Sequence, residues 1–281
     1  MKKSPLTTAI AAGIVLGLSG VSAYAGPLMD RIKSGEPIRI GFANEVPFAY
    51  PGDDGSPMGF VNAEALGVLA SMGYTKIEPV QTEWGGLIPG LQAGRFDIIT
   101  GGMNILKARC ENVAFSEPMA TIGDAFIVAK GNPKGIATYT DIKDKGAVMV
   151  TGAGYSNIDA AKSAGVPEAN IMQVPGPTEI LAAVKAGRAD AGAGTYFTVK
   201  QLADNSDGAV EVTDPNALPT DSMNWAGIGF NKEDQDFVDA FNAAQKAYLG
   251  TPAMMDAVKQ YGYGEASLPG DKTTAWVCAN R

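Results

Sequence analysis

The chain contains no histidine. That excludes Ser-His-Asp and Cys-His catalysis, histidine-ligated zinc and an imidazole pH switch. Its only cysteines are Cys110 and Cys278, and two thiols alone do not make a structural zinc site. Basic residues are few and unclustered: 22 Lys and Arg stand against 30 Asp and Glu. An acidic chain without a basic patch is a poor binder of nucleic acid or of an anionic membrane. No apolar run after the first 25 residues is long enough to span a bilayer. Carboxylate or lysine chemistry remains open, as does binding without chemistry.

What is present begins with an export signal. Lys2-Lys3 forms a charged start, Ala9 to Leu18 an apolar stretch, and Ala23-Tyr24-Ala25 a small-x-small cleavage site. Residues 1–25 are therefore expected to be removed, leaving a soluble exported chain that starts near Gly26. Removal of Lys2 and Lys3 leaves 20 basic residues against 30 acidic ones. An oxidising compartment makes a Cys110–Cys278 disulfide possible, with two unpaired buried thiols as the alternative.

The chain is organised around Thr82 to Pro118. Leu87, Ile88 and Leu91 have helical spacing, and Gly94 is a suitable left-handed C-cap. Phe96 to Thr100 has the character of a strand buried on both faces. Gly101-Gly102 ends it where backbone can approach a ligand closely. Asn104 and Arg109 lie just beyond, outside the carboxyl end of a strand, where open α/β sheets bind ligands. The pattern recurs 93 residues later: Ala93-Gly94-Arg95-Phe96-Asp97 is echoed by Ala186-Gly187-Arg188-Ala189-Asp190. Both copies run apolar helix, AGRxD, small strand, glycine. This predicts an α/β fold of two similar lobes sharing a cleft.

Ile38 to Phe42 and Lys76 to Val80 read as further strands of the first lobe. Asn62 is a candidate cap for the helix between them. Asp124 to Ala129, running into Lys130 to Gly135, reads as the first crossing between lobes. A glycine-rich turn, Thr151 to Asn157, opens onto a helix whose free N–H groups suit a carboxylate. Trp225 to Phe230 reads as a returning strand. The expected division is residues 26–127 plus 228–281 for the first lobe and 128–227 for the second, joined by a two-strand hinge that closes on a ligand.

Candidate pocket residues follow from chemistry. Arg109 offers a bidentate fork to a carboxylate, or else a surface cap. Trp84 and Phe48 offer π faces to a cation, or else fill the core. Glu45 can balance positive charge, or else sit in solvent. Tyr155 is a pocket wall or a surface residue.

At these positions the sequence resembles the bacterial extracellular solute-binding proteins of the polar amino-acid uptake class. The resemblance runs from about Ile38 to Tyr263. It is carried by WGGLIPGLQAGRFDIITGGMNILKAR and the following VAFSEP. It implies a type II two-lobed periplasmic binding protein and partnership with the membrane subunits of an ABC importer. It also implies a monomer with no cofactor, no metal and no catalysis. Arg109 matches the arginine that clamps the ligand carboxylate in the family. Gly102, Asn104 and Trp84 match pocket positions. Tyr155, Ser156 and Asn157 stand where the family has a Gly-Thr-Thr turn. Thr195 stands where amino-acid binders often carry the aspartate that holds the α-ammonium group. With Glu45 in GFANEVPF and Arg109-Cys110, these features resemble the ectoine/hydroxyectoine-binding branch, although Asn104 replaces an aromatic expected there. The alternatives are a polar amino-acid receptor and a dehydratase-like enzyme that uses Glu45 as acid or base.

Overall fold

The computed structural model describes residues 26–219 and 222–281. The expected signal peptide, residues 1–25, lies outside them. In chain order the strands are β1 Ile38–Phe42, β2 Tyr50–Pro51, β3 Pro57–Met58, β4 Ile77–Gln81, β5 Ile98–Asn104, β6 Ala114–Phe115, β7 Ala120–Ile122, β8 Asp124–Ala129, β9 Met149–Gly152, β10 Ile171–Val174, β11 Ala191–Thr195, β12 Val210–Val212 and β13 Asn224–Phe230. The helices are α1 Pro27–Lys33, α2 Phe60–Ser71, α3 Leu87–Gln92, α4 Lys107–Cys110, α5 Tyr139–Asp144, α6 Ser156–Ser163, α7 Pro177–Lys185, α8 Tyr196–Asp204, α9 Gln235–Tyr248, α10 Pro252–Val258 and α11 Thr274–Asn280. None of the helices in the described residues is long and apolar enough to cross a membrane.

These strands form two main sheets. The first has the order β4-β1-β5-β13-β6, with β7 also paired to β13. The second has the order β10-β9-β11-β8-β12. Strands β1, β4 and β5 run parallel, as do β9, β10 and β11. In each sheet one long strand, β13 or β8, runs antiparallel to them. Both faces of the second sheet are covered. Phe126 and Val128 of β8 point into one apolar cluster, and Ala125 and Ile127 into another. The first lobe packs Ile40, Phe42, Phe60, Leu69 and Ile98 with Phe230, Phe237 and Phe241. The aromatic face of α9 thus returns the chain's end to the first sheet.

The AGRxD repeat is structural. Gly94 and Gly187 both take left-handed backbone, at φ 64° and 66°. Behind them Arg95 N–H donates to the Gly90 carbonyl, and Arg188 N–H to that of Ala183. The two aspartates then make the same stitch to a neighbouring strand. The carboxylate of Asp97 accepts from the Arg39 N–H, and that of Asp190 from the Val148 N–H, each at 2.8 Å. One device therefore sets helix, turn and strand in both lobes.

Three local expectations are corrected. Helix α2 begins at Phe60, so Asn62 lies within its first turn and does not cap it. Its amide instead donates to the Met58 carbonyl and accepts from the Thr100 hydroxyl, tying α2 to β5. The chain also changes sheet at Gly123, ahead of the expected 127/128 boundary, because all of β8 is bonded to β11 and β12. The expected 227/228 boundary likewise falls inside β13, which belongs to the first sheet throughout. The Cys110–Cys278 disulfide is formed and ties α4 to α11.

Candidate ligand-binding site

The pocket lies between the carboxyl end of β5 and the N-terminal ends of α6 and α8. About 360 Å³ of space lies between its walls, open solvent at the mouth included. Nine of the ten sequence candidates line it: Glu45, Phe48, Trp84, Gly102, Asn104, Tyr155, Ser156, Asn157 and Thr195. Gly101, of the Gly101-Gly102 pair, and Thr198, which was not anticipated, complete the wall. Thr198 had a signal, being one helical turn after Thr195, whose hydroxyl donates to it at 3.2 Å.

Each wall residue has a local reason for its place. Gly102 has φ 74°. A Cβ there would lie 2.7 Å from the Phe48 ring and 3.0 Å from Val61, so only glycine lets that ring close against the strand. Phe48 is both core and wall: it packs on Phe60 at 4.8 Å and is met from the second lobe by Phe197 at 6.2 Å. Trp84 opens the short turn before α3 and stands edge-on to Tyr155, with centroids 5.3 Å apart. Tyr155 is buried.

Bonds cross the cleft at several points. The Tyr155 hydroxyl, from the second lobe, donates to the Glu45 carboxyl of the first. The Asn104 amide nitrogen donates to the Ser156 hydroxyl at 2.9 Å. Trp84 Nε1 donates to the Gly154 carbonyl at 3.2 Å. These contacts describe the closed arrangement of the two lobes.

Arg109 is the one candidate that the structure does not place in the wall. Its guanidinium donates to the Asn104 carbonyl at 2.8 Å and to the Gly154 carbonyl at 2.9 Å, and lies 6.0 Å from the Trp84 ring. The side chain is a strap across the cleft, anchored on backbone oxygens of both lobes. Burial lowers its pKa to about 10, with Asp159 acting in the opposite direction; it remains charged at neutral pH.

Glu45 has the opposite electrostatic situation. Burial raises its carboxyl to about 8; the Tyr155 hydroxyl lowers it and the nearby Glu83 raises it further. Among the described residues, no lysine or arginine lines the pocket. The Asn104 carbonyl oxygen, Oδ1, is buried and accepts no hydrogen bond. The pocket is therefore apolar on three aromatic sides and carries one neutral acid and one unmet acceptor. Such a site can hold a small cation-bearing solute. The described residues contain no cluster of three or more Asp, Glu or Cys able to hold a metal ion.

Residues 38–263 match the model of the bacterial extracellular solute-binding proteins, family 3, and the chain belongs to that family. It is 36% identical to a probable amino-acid ABC transporter periplasmic-binding protein, y4tE, of Sinorhizobium fredii. That match covers 96% of this chain and 92% of the relative. Its fold is similar to that of EhuB crystallised in complex with hydroxyectoine, with a TM-score of 0.80 and 29% identity over 90% of this chain and 98% of that one. It is also similar to an ancestral amino-acid-binding protein, AncCDT-1, described as a precursor of cyclohexadienyl dehydratase. There the TM-score is 0.72 and the identity 27%, over 84% of this chain and 98% of that one. Members of this family are extracellular receptors for solutes, and the chain has their two-lobed type II architecture.

Proposed function

We propose that the mature chain, exported to the periplasm by cleavage near Ala25, captures a small cyclic zwitterion by hinge closure. Ectoine or hydroxyectoine fits best, and the loaded protein delivers it to the membrane subunits of an ABC importer. The observation that carries this reading is the pairing of Glu45 with the aromatic faces of Phe48, Trp84 and Tyr155 in a pocket without a basic side chain. Similarity to hydroxyectoine-bound EhuB supports it. A primary ammonium buried here would need a charged acceptor or several neutral ones. Thr195 offers one neutral hydroxyl, whose proton goes to Thr198, and no charged acceptor. A ring cation with delocalised charge needs less focused pairing and can lie against the aromatic faces, each worth roughly 0.5–2 kcal/mol.

Calorimetric titration of ectoine, hydroxyectoine and the standard amino acids tests this reading. Both ectoines should bind more tightly than any amino acid, and the solute should be recovered unchanged. Tighter binding of an amino acid would assign the pocket to that class, and turnover of the solute would make Glu45 a catalyst. Glu45 supplies a test of charge. Closure buries its carboxyl and raises it to about 8, and a cation placed beside it opposes that rise. A cationic solute should therefore hold Glu45 ionised in the closed cleft, and Glu45→Gln should weaken its binding more than that of a neutral solute of similar size. Equal losses for the two would contradict the pairing.

A further inference from the structure

A second buried carboxylate lies outside the pocket. Asp124 is the first residue after the chain enters the second sheet, and Asn224 is the first residue of the strand that brings it back. Both are buried. The Asn224 amide donates to one Asp124 oxygen, and the Tyr139 hydroxyl donates to the other, each at 2.9 Å. The Tyr139 oxygen in turn accepts from the Asn157 amide at 2.8 Å. Asn157 is a pocket residue.

The direction of every bond in this row follows from the carboxylate at its end. A carboxylate only accepts, so the Tyr139 proton must point to Asp124. The Tyr139 oxygen then has only lone pairs to offer Asn157. An asparagine facing a lone pair turns its NH₂ towards it. We propose that Asp124 is a positioning residue for solute selection: acting through Tyr139, it turns Asn157 so that its carbonyl oxygen serves the pocket as an acceptor. Together with the unmet Asn104 Oδ1, this makes the pocket select solutes that carry N–H donors over their N-methylated counterparts. The inference deepens the reading of a cationic solute, on which it rests, and does not require that the solute be an ectoine.

A site built from acceptors pays for leaving them unmet, so N-methylation should weaken binding about tenfold or more. The test measures hydroxyectoine, then proline and glycine against their N,N-dimethyl and N,N,N-trimethyl derivatives, at pH 7.5. The wild type should prefer the N–H form of each pair. In Asp124→Asn the new amide can donate to the Tyr139 oxygen, freeing its proton to turn towards Asn157. The preference should then fall below about threefold. Tyr139→Phe, which removes only the hydroxyl, should have the same effect. A general loss of fold would weaken both members of a pair alike and leave their ratio unchanged. Equal binding of methylated and unmethylated solutes by the wild type, or an unchanged ratio in both variants, would overturn the proposal. If hydroxyectoine fails to bind but another N–H solute shows the preference, the ectoine reading fails and this one stands. A readout without solute is also available. The Asn157 side-chain amide resonance should show slowed proton exchange that Tyr139→Phe abolishes, and rapid exchange in the wild type would contradict the bond order.

Discussion

Replacing Arg109 with alanine should weaken solute binding about tenfold. The guanidinium makes one bond to each lobe, to the Asn104 and Gly154 carbonyls. The Asn104 bond lies within the first lobe and is common to the open and closed arrangements, so only the Gly154 bond is gained on closure. A hydrogen bond from a charged donor contributes about 1.5 kcal/mol, which is about tenfold in affinity. The effect should appear mainly as faster dissociation. Arg109→Lys should recover only part of it, because an ammonium lacks the planar fork that spans two separated carbonyls. Binding measured by calorimetry and stopped flow checks both variants. Wild-type affinity in Arg109→Ala would mean that closure is held elsewhere.

Reducing the Cys110–Cys278 disulfide should have the largest effect on stability. The bond closes a separation of 168 residues. Chain entropy alone assigns such a loop up to about 5 kcal/mol, which at about 2 °C per kcal/mol for a chain of this size is a fall of up to about 10 °C in Tm. Binding should suffer with it. The bond fixes α11 beside α4, where the Arg281 carbonyl accepts from Lys107 N–H, and α4 carries Arg109. Melting curves with and without reductant, repeated on Cys110→Ser/Cys278→Ser, measure the effect. An unchanged Tm in protein shown by thiol titration to be reduced would contradict it.

Local pattern made much of the fold legible. Strand β1 lies where it was read, at Ile38–Phe42, and the AGRxD echo marked two equivalent α/β turns whose bonds match atom for atom. The point of crossing between lobes was not legible. Asp124 to Ala129 is apolar on both faces, and such a run suits either sheet; its membership is decided by pairing with β11 and β12, far along the chain. Most of the pocket was readable because glycines, aromatics and a lone acid cluster at strand ends. Arg109 could be identified but not aimed. Its partner in the second lobe is a backbone oxygen 45 residues away, and a carbonyl leaves no mark in a sequence. The row from Asp124 through Tyr139 to Asn157 was invisible for a related reason. Each residue is ordinary alone, and only the tertiary fold brings the three into one line of bonds.

Small-angle scattering of the mature chain, without and with saturating hydroxyectoine, tests most directly whether this is a receptor that closes on its solute. The bonds across the cleft, from Tyr155 to Glu45, Asn104 to Ser156 and Arg109 to Gly154, belong to the closed state. They should be populated chiefly when solute fills the pocket between them. The account predicts a smaller radius of gyration on addition of hydroxyectoine, with the Arg109→Ala variant needing far more solute to reach it. An identical radius with and without saturating solute would contradict the account.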